Sequence, residues 1–208
     1  LAGAGIFTMA DHMVDVATLK SCKKILSQKV SMFSFFEGVA RIPVVAMLAA
    51  SGRPEQLLTQ GLDIYKRLKQ DFISSPYLPL AAMMIAQMTG EESCEKMAVR
   101  TKTLYKRMKE EHPFLTSSED SPLCALLAFS EKSDDALIFD MEKCYEILKN
   151  EFFYGNAVQS LTHVLALFDE PAELKCEKTM QLFHAMKEAG RKYGTNYELP
   201  TLGVLAMT

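Results

Sequence analysis

A histidine, several hydroxyl side chains and two carboxylates are concentrated in residues 112–121, a predicted connector between helices. Imidazole and carboxylate groups that lie close together can bind a metal ion or act as a general acid and base. Loops on a rigid scaffold often carry binding residues. We therefore predict a binding site at this connector, with no metal assigned to it. Its residues are His112, Ser117, Ser118, Glu119 and Asp120.

The same connector also has a purely structural interpretation, which the residue types favour. Asp120 or Ser121 would cap the helix that begins at Pro122, because short polar side chains accept hydrogen bonds from the unpaired backbone N–H groups of a first helical turn. Phe114 and Leu115 would fill the groove between two helical units. Both interpretations stay open at this point.

The other three histidines carry weaker signals. His12 stands beside Asp11 with Asp15 four residues further on, a spacing that does not match the HExxH pattern of a zinc site. His163 and His184 each stand alone in a predicted packed helix. We expect these histidines to be structural rather than catalytic or metal-binding.

The five cysteines are 72, 30, 20 and 32 residues apart and form no CxxC pair. This pattern predicts reduced, buried thiols in a cytoplasmic protein. The chain contains no P-loop, no dinucleotide-binding glycine fingerprint and no GxSxG elbow. The sequence therefore assigns no cofactor and no catalytic residue, and it favours a binding protein over an enzyme.

The charge balance gives no sign of a polyanionic partner. The formal net charge is −3, and the basic runs around Lys66 and Lys106 stand among carboxylates, as in solvated helix faces. No stretch approaches the roughly 18 apolar residues of a membrane span. We predict no nucleic-acid partner and no membrane association.

A short apolar segment recurs five times, at intervals of 36, 43, 38 and 40 residues. Each copy contains a mostly small residue followed by large apolar ones, and four copies begin with Pro, which the first turn of a helix tolerates. The pattern predicts five buried helices, which we term the A helices. They start at Pro43, Pro79, Pro122, Ser160 and Pro200.

An amphipathic segment, the B helix, lies between successive A helices. In each copy an aromatic residue is followed three positions later by Leu or Met, which places both side chains on one helix face. These aromatic residues are Tyr65, Tyr105, Tyr145 and Phe183. The breaks, such as residues 51–54 and 89–92, contain Gly, Pro or acidic residues that end one helix and begin the next.

Together these segments predict an all-α fold of tandem helix-turn-helix (αα-hairpin) repeats of about 40 residues, stacked as a superhelix or solenoid. We predict a single helical-repeat domain over residues 1–208, in which residues 5–11 and 22–27 form a diverged first hairpin. With no starting Met, no basic n-region and an unpaired last A helix, the chain is expected to be part of a longer protein. The units cover about residues 1–38, 39–75, 76–117, 118–154, 155–196 and a partial 197–208.

The span 104–128, LYKRMKEEHPFLTSSEDSPLCALLA, resembles an uncharacterised bacterial domain-of-unknown-function family, number four thousand and three. The resemblance implies a bacterial cytosolic protein whose relatives are longer than this chain. It implies no activity, cofactor or partner, and no functional residue can be transferred from it.

Two classes of function are compatible with this sequence. The repeat pattern favours a scaffold that binds an unknown protein partner on its concave face or loop edge. Alternatively, about six hairpins could close into an α/α-toroid that encloses a catalytic, small-molecule or metal site. An open stack would exclude the second class.

Overall fold

The structure of the protein is a computed structural model, which describes residues 15–90 and 93–208. Within these residues the chain forms ten α-helices, two short 3-10 helices and no strand, so the predicted all-α class is confirmed. The 3-10 helices are Phe35–Glu37 and Ser118–Asp120. The α-helices are α1 Val16–Lys29, α2 Arg41–Ala50, α3 Pro54–Leu68, α4 Leu78–Met88, α5 Cys94–Glu111, α6 Ser121–Leu127, α7 Asp134–Leu148, α8 Gly155–Leu165, α9 Ala172–Glu188 and α10 Leu199–Met207.

Some of the helices begin at residues whose side chains suit a first turn. Asp15 caps α1 by accepting a hydrogen bond from the Thr18 N–H at 2.6 Å. Pro54 is the first residue of α3 and follows Gly52, whose φ of 67° reverses the chain. All five predicted A segments and all four predicted B segments lie in helices. The predicted helix at residues 5–11 and the acidic residues at 91 and 92 lie outside the described part of the chain.

The chain divides into two compact units. The first includes the described residues 15–90, 93–103 and 118–126. In it α3 packs along α4, and α2 contacts α1, α3 and α4. Gly61 favours the close approach of α3 to α4, because a β-carbon there would lie 2.3 Å from Met83 Sδ and the Met83 side chain would have to move. The largest fully buried side chains of this unit include Leu26, Phe36, Leu48, Leu57, Leu58, Ile64, Leu68, Leu78, Met83 and Ile85.

The second compact unit comprises residues 104–117 and 127–208. In it α8 packs between α7 and α10, and α9 contacts both α7 and α10. The buried side chains at these contacts form one apolar core, to which burial of each large side chain contributes roughly 1.5–3 kcal/mol. This core contains Cys144, Leu148, Phe152, Ala157, Val158, Leu161, Leu165, Ala172, Cys176, Leu199 and Leu202.

A buried ion pair joins α7 to α9 in the second unit. Lys175 is fully buried, and its Nζ lies 2.5 Å from Asp140 Oδ2. Lys132 Nζ lies 3.4 Å from the same oxygen and also donates to the carbonyls of Ala166 and Phe168, just past the end of α8. These two ammonium groups therefore satisfy both a carboxylate and a helix C-terminus.

The predicted division of the chain into one domain with six units stays a prediction, and so does a superhelical stack. The residues at the aligned, mostly small position of the A helices are all buried: Ala46, Ala82, Ala125, His163 and Gly203. The large apolar residue two positions later is fully buried in three copies but exposed in α10, where it is Leu205.

Candidate functional site

The first half of the predicted connector, residues 112–117, belongs to the second compact unit and is tied down by hydrogen bonds. Lys109 Nζ donates to the carbonyls of Pro113 and Thr116, both at 2.6 Å. The buried Thr116 hydroxyl donates to the Met108 carbonyl at 3.0 Å. The connector therefore folds back on the end of α5, and we refer to these bonds as the connector clamp.

His112 lies immediately after α5 and contacts α7. Its Nε2 atom is 3.0 Å from Glu142 Oε1, and its ring centroid is 4.4 Å from that of Tyr145. Burial raises the pKa of the Glu142 carboxyl; the neighbouring imidazole of His112 lowers it, and the carboxylates of Glu111 and Glu146 raise it. His112 thus contacts a carboxyl group whose pKa two further carboxylates also affect.

A fully buried polar layer lies next to this pair. Gln159 Nε2 donates to the Thr116 hydroxyl at 2.6 Å, which links α8 to the connector. His163 is one helical turn further along α8 and is buried. Burial, and secondarily the charge of His112, lowers the pKa of His163 to about 3, so this imidazole is neutral over the physiological range.

This arrangement positions the connector and shows no reacting group. The Thr116 hydroxyl already donates to a backbone carbonyl, and the His112–Glu142 contact joins the connector to α7. Among the described residues, no group of three or more His, Cys, Asp or Glu side chains could hold a metal ion. The predicted site residue His112 therefore anchors the connector through Glu142 of α7, and Thr116 anchors it through Gln159 of α8.

The other predicted site residues are divided between the two compact units. Ser117 follows the clamped segment in the second unit, whereas Ser118, Glu119 and Asp120 form a 3-10 turn in the first. Asp120 is buried and Glu119 is exposed. The hydroxyl of Ser121, the first residue of α6, donates to the Ser118 carbonyl at 2.8 Å. The binding role of these residues stays a prediction.

An exposed aromatic cluster, which the sequence analysis missed, occupies two connectors of the second unit. The predicted groove-filling role of Phe114 is wrong, because this side chain is 96% exposed. Phe153 is 91% exposed, and its ring lies 5.1 Å from that of the half-exposed Tyr154. A β-carbon on Gly155 would lie 3.4 Å from Leu115 Cδ2, so the two connectors are neighbours. We term Phe114, Phe153 and Tyr154 the aromatic surface.

Each of the other connectors that follow a B-type helix also exposes a large side chain. In the first unit these are Phe33 after α1 and Ile73 after α3, and in the second unit Tyr197 after α9. Their exposed fractions are 91%, 79% and 88%. The neighbouring aromatic residue of the first two connectors, Phe36 or Phe72, is buried instead. One apolar side chain anchors such a connector while another faces solvent.

Carboxylates pair with several residues of the two basic runs. In the first unit Lys66 is 3.5 Å from Asp63, Arg67 is 3.3 Å from Glu95, and Lys102 is 2.6 Å from Asp71. In the second unit Arg107 is 2.7 Å from Asp135. These pairs fit the predicted solvated helix faces.

The first unit also contains a cleft of about 410 Å³ between α3 and α5. Arg67 and Glu95 form their ion pair at its edge, and the partly exposed Cys94 contributes to the wall. All five cysteines are free thiols, four of them buried. The predicted His12 arrangement lies outside the described residues, whereas His184 is exposed on α9.

Comparison with known proteins adds no assigned activity. A family model described as "Protein of unknown function (DUF4003)" matches residues 2–208. Among curated proteins, the chain is similar to the uncharacterized protein YeaA of Bacillus subtilis (strain 168), with 26% identity over 186 residues. This match covers 86% of the chain and 56% of YeaA, so the chain spans about half the length of that relative. No solved structure matches the chain.

Proposed function

Since the chain belongs to the DUF4003 family, whose function is unknown, we propose from its own surface that it is an interaction module that binds another protein. The proposed architecture is a stack of αα-hairpins, and the proposed binding region is the edge formed by the connectors. The proposed location is the cytoplasm, where the five free thiols would stay reduced.

The observation that carries this proposal is that each described connector after a B-type helix exposes at least one large apolar side chain. Single exposed apolar residues are common on soluble proteins, but adjacent exposed aromatic rings mark interaction sites. Phe114 and Phe153 lie on adjoining connectors of one compact unit. Aromatic residues are also enriched at the centres of protein interfaces, where they contribute most of the binding energy.

Affinity purification of the whole protein from its native cells tests the proposal. We expect a specific protein to co-purify and to be lost when Phe114→Ser and Phe153→Ser are combined. Because both side chains are exposed, the double variant should keep the wild-type melting temperature. Phe139→Ser is the matched control, since Phe139 is an exposed phenylalanine on α7 of the same unit.

Two results would contradict the proposal. The first is that no protein co-purifies specifically with the wild type. The second is that the same proteins co-purify with the wild type and with a chain in which Phe33, Ile73, Phe114, Phe153 and Tyr197 are all replaced by Ser.

A small-molecule site is the second candidate function, and the cleft between α3 and α5 favours it. The cleft offers a guanidinium, carboxylates and a thiol, which together suit a small zwitterionic ligand. Metabolites retained by the natively purified protein can be identified by mass spectrometry. We expect Arg67→Ala to lose such a ligand; a metabolite retained equally by this variant would place it elsewhere.

A further inference from the structure

The charges around the aromatic surface restrict which kind of segment can cover it. Glu111 is exposed three residues before Phe114, and Glu151 is exposed two residues before Phe153. Glu111 and Glu146 each raise the pKa of the Glu142 carboxyl, which is 3.0 Å from His112 in the connector of Phe114. We term Glu111, Glu142, Glu146 and Glu151 the acidic rim of the aromatic surface.

The lysines that neighbour this rim are already engaged. Lys109 donates to two backbone carbonyls in the connector clamp. Lys149 Nζ lies 2.6 Å from Glu146 Oε2, so it neutralises one of the four carboxylates. His112 contacts Glu142 at 3.0 Å. Glu111 and Glu151 remain exposed, each within three residues of an exposed phenylalanine in the chain.

From this juxtaposition we infer that the aromatic surface binds a cationic amphipathic segment of another protein. Its apolar side chains cover Phe114 and Phe153, and its Lys or Arg side chains meet Glu111 and Glu151. An Arg can also stack on the half-exposed Tyr154 ring, where a cation is attracted by the π electrons. The inference rests on the proposed function and adds the chemical class of the partner segment.

The same rim disfavours two other occupants. Anionic lipid headgroups and RNA phosphates would be placed beside like charges, which opposes their approach at physiological ionic strength. A second copy of this chain does offer a cationic segment, because Lys20, Lys23, Lys24 and Lys29 are exposed on α1, and the identity of the crosslinked segment distinguishes it from another protein. Each of these occupants is an outcome that the test below can detect.

Site-specific photo-crosslinking in native cells is the experiment. p-Benzoylphenylalanine is placed at position 114 or 153 of the whole protein, and at position 139 as the control. We expect crosslinks from positions 114 and 153 to converge on one segment of one protein, with a net positive charge and an apolar face. Position 139 should give no crosslink to that segment.

A synthetic peptide of the crosslinked segment then measures the contribution of each group by fluorescence anisotropy. We expect Phe114→Ser or Phe153→Ser to weaken binding about 30-fold, as for a central aromatic contact. Glu111→Gln combined with Glu151→Gln should weaken it about 3- to 10-fold, and added salt should reduce this difference. Glu131→Gln, at an exposed glutamate of the same unit, is the matched control and should have no effect.

The outcomes separate failure of the inference from failure of the proposed function. Crosslinks to an acidic or neutral protein segment overturn the inference and leave the proposed function intact. Crosslinks to lipid, RNA or a second copy of the chain overturn the inference. A co-purifying partner that survives Phe114→Ser with Phe153→Ser and never crosslinks at these positions also overturns it. Absence of any specific partner overturns both.

Discussion

The buried imidazole of His163 links the stability of the second compact unit to pH. Burial, followed by the charge of His112, lowers its pKa from 6.5 to about 3 in the folded chain. The unfolded chain therefore binds more protons than the folded chain between these pH values. The stabilisation is complete above the unfolded pKa of 6.5 and is lost progressively as pH falls towards about 3.

His163→Leu should remove this acid sensitivity. Between about pH 7.5 and pH 5, the wild type should lose about 2 kcal/mol more of its free energy of unfolding than the variant, because Leu has no proton to bind. Urea denaturation at both pH values measures the difference. His184→Leu, at an exposed histidine, should retain the wild-type slope. An unchanged slope in His163→Leu would show that this imidazole is not the coupled group.

The buried ion pair predicts that replacing Asp140 and replacing Lys175 destabilise the protein by different amounts. Asp140→Asn leaves the fully buried Lys175 ammonium without its carboxylate and with a carbonyl partner, that of Phe168 at 3.4 Å. We therefore expect this variant to lose about 3–5 kcal/mol of its free energy of unfolding. Lys175→Met leaves Asp140 paired with Lys132 at 3.4 Å, so the loss should be smaller, about 1–3 kcal/mol. Urea denaturation of both variants checks this order. A larger loss in Lys175→Met would contradict it.

Aligned positions of different helices should differ in their contribution to stability. Leu48 of α2 and Leu165 of α8 are fully buried, whereas the corresponding Leu205 of α10 is 49% exposed. Replacement by Ala should lower the free energy of unfolding by about 2–5 kcal/mol at the two buried positions and by less than about 1 kcal/mol at Leu205. Chemical denaturation of the three variants measures this. A cost of several kcal/mol at Leu205 would mean that this side chain is covered in the protein as it occurs in solution.

The helices were predictable because local signals mark their ends and faces. Pro54 after Gly52, and Ser133 before two aspartates, specify helix starts without any tertiary information, and the Ser133 hydroxyl does accept a hydrogen bond from the Ala136 N–H. Family membership confirms the resemblance seen in residues 104–128. Helix packing was harder to predict from the sequence, because it depends on contacts between different helices, such as that of Gly61 with Met83.

The site was only partly predictable, since its polar contacts join distant parts of the sequence. His112 was identified, but Glu142 and Gln159 are 30 and 47 residues away, and no local pattern links them to it. Lys175 offered a usable signal, because the matching position of other B helices is Leu57, Met97 or Leu137. A lysine in an apolar register must find a buried partner. Phe114 gave the opposite signal, because aromatic residues are usually buried.

At the scale of the whole molecule, the charge distribution predicts that the chain does not bind nucleic acid. The formal net charge is −3, and several residues of the basic runs contact carboxylates. We expect a labelled single-stranded RNA to bind more weakly than about 100 μM at 0.15 M salt, as measured by fluorescence anisotropy. Binding tighter than about 10 μM that weakens steeply with added salt would contradict this.

The connector clamp has a further effect on recognition. Because Lys109 bonds the carbonyls of both Pro113 and Thr116, the backbone on either side of Phe114 is already ordered before any partner arrives. Ordering a flexible residue costs roughly 1–2 kcal/mol because conformational entropy is lost. In the clamped connector this entropy is lost on folding and not on binding. Phe114 is therefore preorganised, so that more of the energy of covering its ring remains as affinity.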